Sequence, residues 1–415
     1  MSEEQQSLSP NNNSTNSKYG STSNKDIHKP PSPPSSPPVL HYPPPPPTFG
    51  KSLKIIATNS WLNILLIFVP LGYIADALEM SDTWVFFLNF FAIIPLAKLL
   101  EFGTEDISLR VGQTIGGLLN ATFGNAVELI VSIIALKEGQ IRVVQASMLG
   151  GIVSNLLLVL GLCFLCGGCY HKVQTFNKTA AQTTSSLMTL ACIGLIIPAA
   201  FNFSVDTTKN DRQDELLNLS HGTAIVLLII YGLYLFFQLK THADLYAAES
   251  EEEEDPKLSP FVSILLLGVV TIFISFSADS LVDSIEGIVE SSGLSRTFVG
   301  LILLPIVGNA AENVTAITAA MKNKMDLAIN VAAGSSMQIA LFITPFLVVL
   351  GWIIGVDMSL YFQSFETVVL FIAVLLTSFL IQDGESNWLE GFLLLATYSI
   401  VALAFFFYPN EDYNP

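Results

Sequence analysis

The chain has 415 residues, of which 51% are hydrophobic and 13% charged, and its mean hydropathy is +0.56. A soluble domain does not need so apolar a composition, so the sequence indicates a membrane protein in contact with the lipid bilayer. The net charge of −17 does not indicate a nucleic-acid partner, because the sequence has no basic stripe with interleaved aromatic residues.

The N-terminal region, residues 1–50, is rich in Ser, Asn and Pro and contains the run from Pro43 to Pro47. Such a composition cannot bury a core, so we expect a disordered cytosolic tail. No cleavable signal peptide is visible in this polar stretch, and we therefore expect the first apolar span to direct membrane insertion.

Eleven apolar runs follow, each of about the 20 residues that cross a bilayer core. They cover residues 55–75, 83–102, 113–136, 141–166, 182–203, 221–239, 260–280, 296–320, 326–354, 364–381 and 388–408. The predicted fold class is an all-α polytopic membrane protein with about 11 transmembrane helices. Ten Lys and Arg residues, Lys98 among them, fall on the same side of the membrane as the N-terminus, and five fall on the opposite side. This bias predicts a cytosolic N-terminus and a luminal C-terminus.

The third and eighth runs carry the same motif, Gly124-Asn125-Ala126-Val127-Glu128 and Gly308-Asn309-Ala310-Ala311-Glu312. Around it, matching residues recur 184 positions later without a gap, which indicates an internal duplication. The first-copy members of these matches are Gly116, Gly124, Asn125, Ala126, Glu128 and Gly150.

The duplication also predicts how the chain is organised. The first span, in residues 51–80, has no counterpart, and the other ten spans divide five and five between repeats at 81–243 and 259–409. Because five is odd, equivalent spans cross in opposite directions, which gives the inverted repeats of secondary transporters. We place an acidic cytosolic segment at 244–258 between the repeats and a luminal tail at 410–415.

A carboxylate at the centre of a membrane helix costs about 2.5 kcal/mol or more, so Glu128 and Glu312 are candidates for an ion pathway. Asn125 and Asn309 each lie three residues before a glutamate, so we expect amide and carboxylate to share one helix face. Pro305 should kink or break the eighth span just before its motif. Carboxylates, amides and freed carbonyls are hard oxygen ligands, which suit calcium better than soft metals.

Other polar residues allow two readings each. Ser154 aligns with Gln338 in the duplication, within small and polar stretches that include Asn155 and Ser335; either close packing or ligation of the ion fits them. Glu105, at the predicted cytoplasmic end of the second span, is either solvated or a proton-entry group. Three cysteines follow the spacing Cys163-x-x-Cys166-x-x-Cys169; packing at a helix end is favoured over a metal cluster.

An acidic run precedes the seventh span, at Glu249, Glu251, Glu252, Glu253, Glu254 and Asp255. Charge runs are usually solvated. On the cytoplasmic side of a cation pathway, the same run could also concentrate or sense divalent cations.

The stretch from Thr114 to Glu128, together with its second copy, resembles the cation/proton exchanger family of the calcium/cation antiporters, and more closely its fungal vacuolar calcium/proton exchangers. The similarity extends over residues 53–409. It implies that Glu128 and Glu312 are the central ligands and proton carriers, and that Asn125, Asn309, Ser154, Ser335 and Gln338 line the site. It further implies a vacuolar-type membrane and an acidic cytosolic helix. The family usually has His after the second glutamate, whereas this chain has Asn313, which cannot titrate near neutral pH.

The leading hypothesis is therefore a calcium/proton antiporter that needs no cofactor, since calcium and protons are its substrates. Manganese as a further substrate, a sodium/calcium exchanger and homo-oligomers stay open as alternatives. Inverted repeats disfavour a passive calcium channel. An intramembrane protease is disfavoured because the sequence lacks both His-Glu-x-x-His and Gly-x-Ser-x-Gly, so we do not expect an enzyme.

Overall fold

The computed structural model describes residues 47–204, 209–243 and 255–409, which are almost entirely helical. The predicted tail up to residue 46, most of the acidic segment and the tail from residue 410 lie outside the described residues. In the first half the helices are α1 (Phe49–Thr58), α2 (Phe68–Ala77), α3 (Asp82–Val111), α4 (Gln113–Phe123), α5 (Ala126–Lys137), α6 (Ile141–Val153), α7 (Leu160–Tyr170), α8 (Lys178–Ser204) and α9 (Lys209–Phe236).

The second half contains the remaining α-helices. They are α10 (Pro260–Asp283), α11 (Ile285–Ser292), α12 (Arg296–Phe298), α13 (Leu304–Gly308), α14 (Ala310–Met321), α15 (Met325–Gln338), α16 (Thr344–Ile354), α17 (Ser364–Leu380) and α18 (Trp388–Phe406). A 3-10 helix (Trp61–Ile67) precedes α2. Segments of π-helix are found at Ser154–Val159, Phe237–Thr241, Val299–Leu303 and Ile339–Ile343.

Seven helices of the described residues are long and apolar enough to cross a membrane, and up to nine spans result if each of two bent helix pairs counts as one. The two other predicted spans coincide with α4–α5 and with α17, an apolar helix of 17 residues. The polytopic helical fold is thus confirmed. The count of eleven stays a prediction.

The first predicted span is not one straight helix. Helix α1 and the helical stretch Trp61–Ala77 are bent by 96° at Asn59 and Ser60. The Ser60 hydroxyl accepts the Leu62 N–H at 3.2 Å, and the Asn63 amide donates to the carbonyls of Ile56 and Ala57. These bonds satisfy backbone groups that a bend leaves open, so the polar Asn-Ser step ends α1 inside the predicted span.

Burial separates central helices from peripheral ones. In the most apolar stretch of α3 and of Ile141–Tyr170, 72% and 78% of the residues are buried, against 22% in the span formed by α9 and 28% in α18. Ser154 and Asn155 lie in the second of these buried stretches, whereas α9 and α18 present large apolar side chains outward. A hydrophobic exterior of this kind is stable in a lipid environment.

Helix boundaries follow the sequence duplication. The bounds of α5 and α14 are 184 positions apart at both ends, and so are those of α7 and α16. The π segment Ser154–Val159 also has a counterpart at the equivalent place, Ile339–Ile343. Because π segments are rare and concentrate at functional sites, their recurrence indicates that both halves keep the same local distortion.

Two glycine contacts between α6 and the π segment Val299–Leu303 have no equivalent between α15 and α4. A Cβ added at Gly150 would lie 2.2 Å from the Leu301 carbonyl oxygen, and one added at Gly300 would lie 2.8 Å from the Ala146 methyl carbon. Their equivalents are Gly334, with nothing within 4 Å, and Gly116, which meets the α3 backbone instead. Helix α6 therefore packs closely on the π segment Val299–Leu303, whereas α4 and α15 do not pack in the same way.

A short strand pair also joins the halves. Strand β1 (Gln174–Thr175) pairs antiparallel with β2 (Glu385–Ser386). Just after β2, Asn387 and Glu390 form a capping box that begins α18. The strands bring the loops after α7 and α17 together, a contact that no sequence pattern predicts.

Candidate cation site

Both motif glutamates lie in the first turn of a helix that begins after a break in the chain. Helix α5 starts after Asn125 (φ −101°, ψ 30°) and α14 after Asn309 (φ −86°, ψ 0°), so both asparagines leave the helical conformation in a similar way. The first turn of a helix has N–H groups without intrahelical partners and a partial positive charge. Glu128 and Glu312 are therefore placed where a helix favours a carboxylate.

The asparagines do not share a helix face with the glutamates as predicted, because each asparagine precedes its helix. The spacing Asn-x-x-Glu is that of a capping box, yet neither Asn125 nor Asn309 caps its helix with its side chain. These side chains are directed into the interior instead, where Asn125 is 1% and Asn309 0% exposed.

Pro305 accounts for less of the second break than predicted. It lies in the first turn of the short helix α13, and the 59° bend comes after Gly308, around Asn309. The first copy has no proline here, yet its helices are separated at Gly124 and Asn125. The break thus follows the Gly-Asn step that both copies share, at residues with low helix propensity.

Each motif glycine faces the glutamate of the other copy. A Cβ added at Gly308 would lie 2.6 Å from Glu128 Oε1, and one added at Gly124 would lie 3.6 Å from Glu312 Oε1. The two helix breaks therefore meet, and the absence of a side chain at Gly308 makes room for the Glu128 carboxylate.

The two carboxylates are enclosed, and no basic side chain among the described residues is paired with them. Glu128 Oε1 and Glu312 Oε2 are buried and accept no hydrogen bond. Within the described part of the chain neither carboxylate pairs with Lys or Arg within 4 Å, and each lies within electrostatic range of the other. Beside Glu128 is a cavity of about 20 Å³, which is also lined by Ser147, Gly151 and Gly308. That volume is sufficient for one water molecule or a similarly small ion.

An amide network links the first motif to the second half. Asn125 Nδ2 donates to Gln338 Oε1 at 2.7 Å, the Ser335 hydroxyl donates to Asn125 Oδ1 at 2.6 Å, and Asn155 Nδ2 donates to the Ser335 oxygen at 3.0 Å. Ser335 also lies beside the Glu312 carboxylate. Since a hydroxyl has one proton, Ser335 can donate either to Asn125 or to Glu312.

The second motif lacks this network. Both polar atoms of the Asn309 side chain are buried and have no hydrogen-bond partner. The duplication equivalents of Ser335 and Gln338 are Gly151 and Ser154, and neither can reach as far. The Ser154 oxygen is itself buried without a hydrogen bond, although the Tyr398 hydroxyl faces it. Unsatisfied buried polar groups are rare in native proteins and call for an ion or water partner.

Asn313, which replaces the family histidine, lies next to Glu312 on α14. Its Oδ1 is also buried without a hydrogen-bond partner. The position therefore adds one more amide oxygen near Glu312, rather than a titratable group.

The acids at Glu105 and Asp106 differ in exposure, and they are not helix-terminal because α3 continues to Val111. Glu105 is exposed, whereas Asp106 is 3% exposed. Asp106 accepts the Lys257 and Leu258 N–H groups at 2.6 and 2.9 Å and the Ser263 hydroxyl at 2.7 Å, and it pairs with Arg110. It thus fastens the end of the acidic segment to α3, and the entry role of Glu105 stays a prediction.

The other sequence candidates do not form a conventional metal centre. Among the described residues no group of three or more His, Cys, Asp or Glu side chains could hold a metal ion. Cys163, Cys166 and Cys169 lie along α7 as free thiols, buried, half-buried and exposed in turn. Of the acidic run, Asp255 is described and exposed, and Glu249 to Glu254 lie outside the described residues.

Sequence reasoning missed three polar residues near Glu312. Lys98, which the charge count placed on the cytoplasmic side of the second predicted span, lies about halfway along α3, where its Nζ contacts Glu101 and Thr315. Sequence reasoning assigned these three residues no role in the site, because Glu101 and Thr315 have no counterpart in the Gly-Asn-x-x-Glu motif. A charged residue inside the apolar run 83–102 was the available signal.

Comparison with known proteins supports the resemblance. The profile of the family described as sodium/calcium exchanger protein matches residues 81–240 and 262–407. The vacuolar calcium ion transporter of Schizosaccharomyces pombe is 52% identical over 360 residues, which cover 86% of this chain and 87% of the relative. The Ca(2+)/H(+) antiporter of Aphanothece halophytica is 47% identical over 363 residues, covering 83% and 96%.

A solved structure shows the same architecture. The structure of native YfkE superposes with a TM-score of 0.73 at 38% identity, covering 84% of this chain and all of the YfkE chain. The relatives are named as transporters and antiporters, not as enzymes. With more than half of its length matched by one family profile, the chain belongs to the sodium/calcium exchanger protein family, and within it to the cation/proton exchangers.

Proposed function

We propose that this chain is a calcium/proton antiporter that moves cytosolic Ca²⁺ into an acidic, vacuole-type lumen in exchange for protons. The observation that carries the proposal is the enclosed pair of carboxylates, Glu128 and Glu312, which form no ion pair within 4 Å with Lys or Arg of the described residues. An uncompensated carboxylate pair is very costly in a low-dielectric interior. One Ca²⁺ or two protons can neutralise the pair, but not both together, and this exclusion couples the two ions.

The residues around the pair provide oxygens of the type that calcium prefers. Calcium takes six to eight oxygen ligands. Each glutamate offers two, Asn309 and Asn313 each have a buried amide oxygen without a partner, and the Ser154 hydroxyl is equally uncommitted. Asn125 and Gln338 would change partners to take part, because they are hydrogen-bonded to each other. Glu105, exposed on α3, serves in this mechanism as a proton-entry group.

The proposed architecture is eleven spans, with one N-terminal helix and two inverted five-helix repeats. The matched bounds of α5 and α14, the recurring π segments and the contact between motif glycines and opposite glutamates support it. In secondary transporters with such repeats, one repeat moves against the other around a midplane site. Binding of either calcium or protons then permits this movement of the repeats, which carries the bound ion across the membrane.

The names of relatives support the substrates and the compartment. A 52% identical relative is named a vacuolar calcium ion transporter, and a 47% identical one a Ca(2+)/H(+) antiporter. In this chain, protons leaving an acidic lumen would supply about 1.4 kcal/mol per pH unit for each proton moved. Manganese is retained as a second substrate, because the same hard oxygen ligands accept it.

The test is calcium uptake into sealed vesicles that contain the purified full-length protein, with an acidic interior. Uptake should follow the proton gradient and collapse when a protonophore is added. An outward sodium gradient at equal pH should give no uptake. Uptake driven by the sodium gradient would show that the chain is a sodium/calcium exchanger. Uptake that persists after the protonophore is added would show that it is a passive pathway.

The role of the two carboxylates is tested with Glu128→Gln and Glu312→Gln, which keep the side-chain size but remove one charge and one proton site. Each variant should lose proton-driven uptake by about a hundredfold or more, since both carboxylates are needed to match a divalent ion. Glu138→Gln, at the exposed end of α5, is the control and should transport normally. Near wild-type uptake in either motif variant would rule out the two-carboxylate mechanism.

A further inference from the structure

A closed polar network joins α3 to α14 about halfway along α3. Lys98 Nζ lies 2.9 Å from Glu101 Oε2 and 2.8 Å from the Thr315 oxygen, and the Thr315 hydroxyl lies 3.0 Å from Glu101 Oε1. The side chains of Lys98 and Glu101 are 19% and 27% exposed. The three side chains therefore satisfy one another within the helix bundle, and we call them the Lys98–Glu101–Thr315 triad.

Helix cohesion is not a sufficient reason for this triad. Charged side chains inside membrane helices are costly and mark functional positions. A buried ion pair rarely stabilises a protein more than apolar residues of similar size would. Helix α3 is moreover held by extensive apolar burial, with Leu96, Leu99 and Leu100 in the core. A half-buried pair of opposite charges on this helix is better explained by the electrostatic potential that it sets at a neighbouring group.

The triad is adjacent to the second motif glutamate. Thr315 follows Glu312 by three residues on α14, so their side chains are neighbours on one helix face. Glu312 is within electrostatic range of both charges, the positive one of Lys98 and the negative one of Glu101. The two charges have opposite effects on the electrostatic potential at Glu312. Their hydrogen bonds with Thr315 hold both charged groups at a fixed distance from the Glu312 carboxylate.

We propose that Lys98 and Glu101 are positioning residues that set the electrostatic potential at Glu312, and thereby the calcium affinity of the site, without touching the ion. The inference rests on the proposed calcium transport. The Lys98–Glu101 pair has no net charge, so it does not raise the calcium affinity of the site. The affinity therefore stays low enough for calcium to be released. Removal of either charge leaves the other one uncompensated next to a divalent ion.

The variants shift affinity in opposite directions. Lys98→Met leaves Glu101 negative and should lower the half-saturating calcium concentration, whereas Glu101→Gln leaves Lys98 positive and should raise it. At an effective dielectric constant of about 20, a unit charge about 10 Å from a divalent ion changes its affinity by about a hundredfold or more. The double variant Lys98→Met/Glu101→Gln restores neutrality and should return to within about threefold of wild type on the same scale.

The experiment measures initial uptake against free calcium in proteoliposomes, with the external medium at pH 8.5 so that protons compete least. Calcium binding to the same purified proteins in detergent is measured in parallel. Lys98→Arg keeps the charge and should behave as wild type. Thermal unfolding of every variant establishes that the protein is folded. If one single variant does not fold, the other single variant and the double variant still decide the sign of the effect.

The outcomes separate this inference from the proposed function. Shifts of both single variants in the same direction, a double variant worse than either, or a Lys98→Arg shift as large as that of Lys98→Met would overturn the electrostatic role. Calcium-binding shifts of opposite sign would uphold that role. If they were found without any proton-driven uptake by the wild-type protein, they would reject antiport but not the triad.

Discussion

Replacing Gly308 by Ala tests whether the two helix breaks meet at the transport site. The added methyl carbon would lie 2.6 Å from Glu128 Oε1 and 3.1 Å from the carboxyl carbon. Side-chain carbons do not approach oxygens so closely, so the Glu128 carboxylate must withdraw by about half an ångström or more. Calcium–oxygen distances span only about 2.3–2.6 Å, so a ligand moved that far no longer coordinates.

The expected loss follows from that displacement. A misplacement of up to about 1 Å at a reacting or binding centre costs about a hundredfold in rate, which corresponds to about 2.7 kcal/mol. Stability should change little, because the far end of a flexible side chain can move and alanine favours helices over glycine. The assay is initial calcium uptake under an imposed proton gradient, together with thermal unfolding in detergent.

The matched control is Gly268→Ala, the same substitution at an exposed position of α10 where nothing lies within 4 Å of the added carbon. It should transport as the wild type does. If Gly308→Ala kept uptake within about twofold of wild type, or lost it only by failing to fold, the placement of Gly308 against Glu128 would be refuted as a determinant of transport.

Three further predictions concern positions outside this contact. Gly150→Ala should lower the unfolding temperature, because its methyl would meet the rigid Leu301 backbone. The equivalent substitution in the second copy, Gly334→Ala, should leave stability within about 0.5 kcal/mol of wild type. Equal effects of the two substitutions in a thermal-shift assay would contradict the unequal packing. Asn313→His introduces a titratable ring beside Glu312 and should alter the pH profile of uptake or the calcium/manganese preference, and if neither changes the position is structural. Neutralising the six acids of Glu249–Asp255 should raise the half-saturating calcium concentration without lowering the maximal rate. The increase should depend on salt, since exposed charges act over about 8 Å at physiological ionic strength. Superimposable uptake curves of the variant and the wild type would mean that the segment is a solvated spacer.

Sequence patterns predicted the parts of this molecule that depend on local chemistry. The apolar runs predicted the helices, and the Gly-Asn-x-x-Glu motif identified two glutamates that the fold then brings within electrostatic range of each other. The duplication singled out Gln338, and its side chain bonds to Asn125 of the first motif. Each of these signals lies in the residue itself or within one helical turn of it.

Features that depend on contacts between distant segments were not predictable. The contacts of Lys98 could not be predicted, because its partner Thr315 is more than two hundred residues away. The role of Asp106 could not be predicted either, because it accepts hydrogen bonds from the distant backbone N–H groups of Lys257 and Leu258. The strands β1 and β2 are two residues each, too short for an alternating pattern. In all three cases the chain contains the groups, but only tertiary packing pairs them.

The unequal glycine contacts of α6 and α15 have an energetic consequence. Under the proposed alternating access, the duplicated chain has a second arrangement in which the halves exchange roles. In that arrangement Gly334 would approach Gly117 as Gly150 now approaches Leu301, and Gly116 would meet Asn330 where Gly300 now meets Ala146. Asparagine is larger and more polar than alanine, so the second arrangement would have a different free energy. On this proposal, the divergence of the two copies sets the resting population of the two arrangements, and bound ions would shift it only by their difference in affinity for the two.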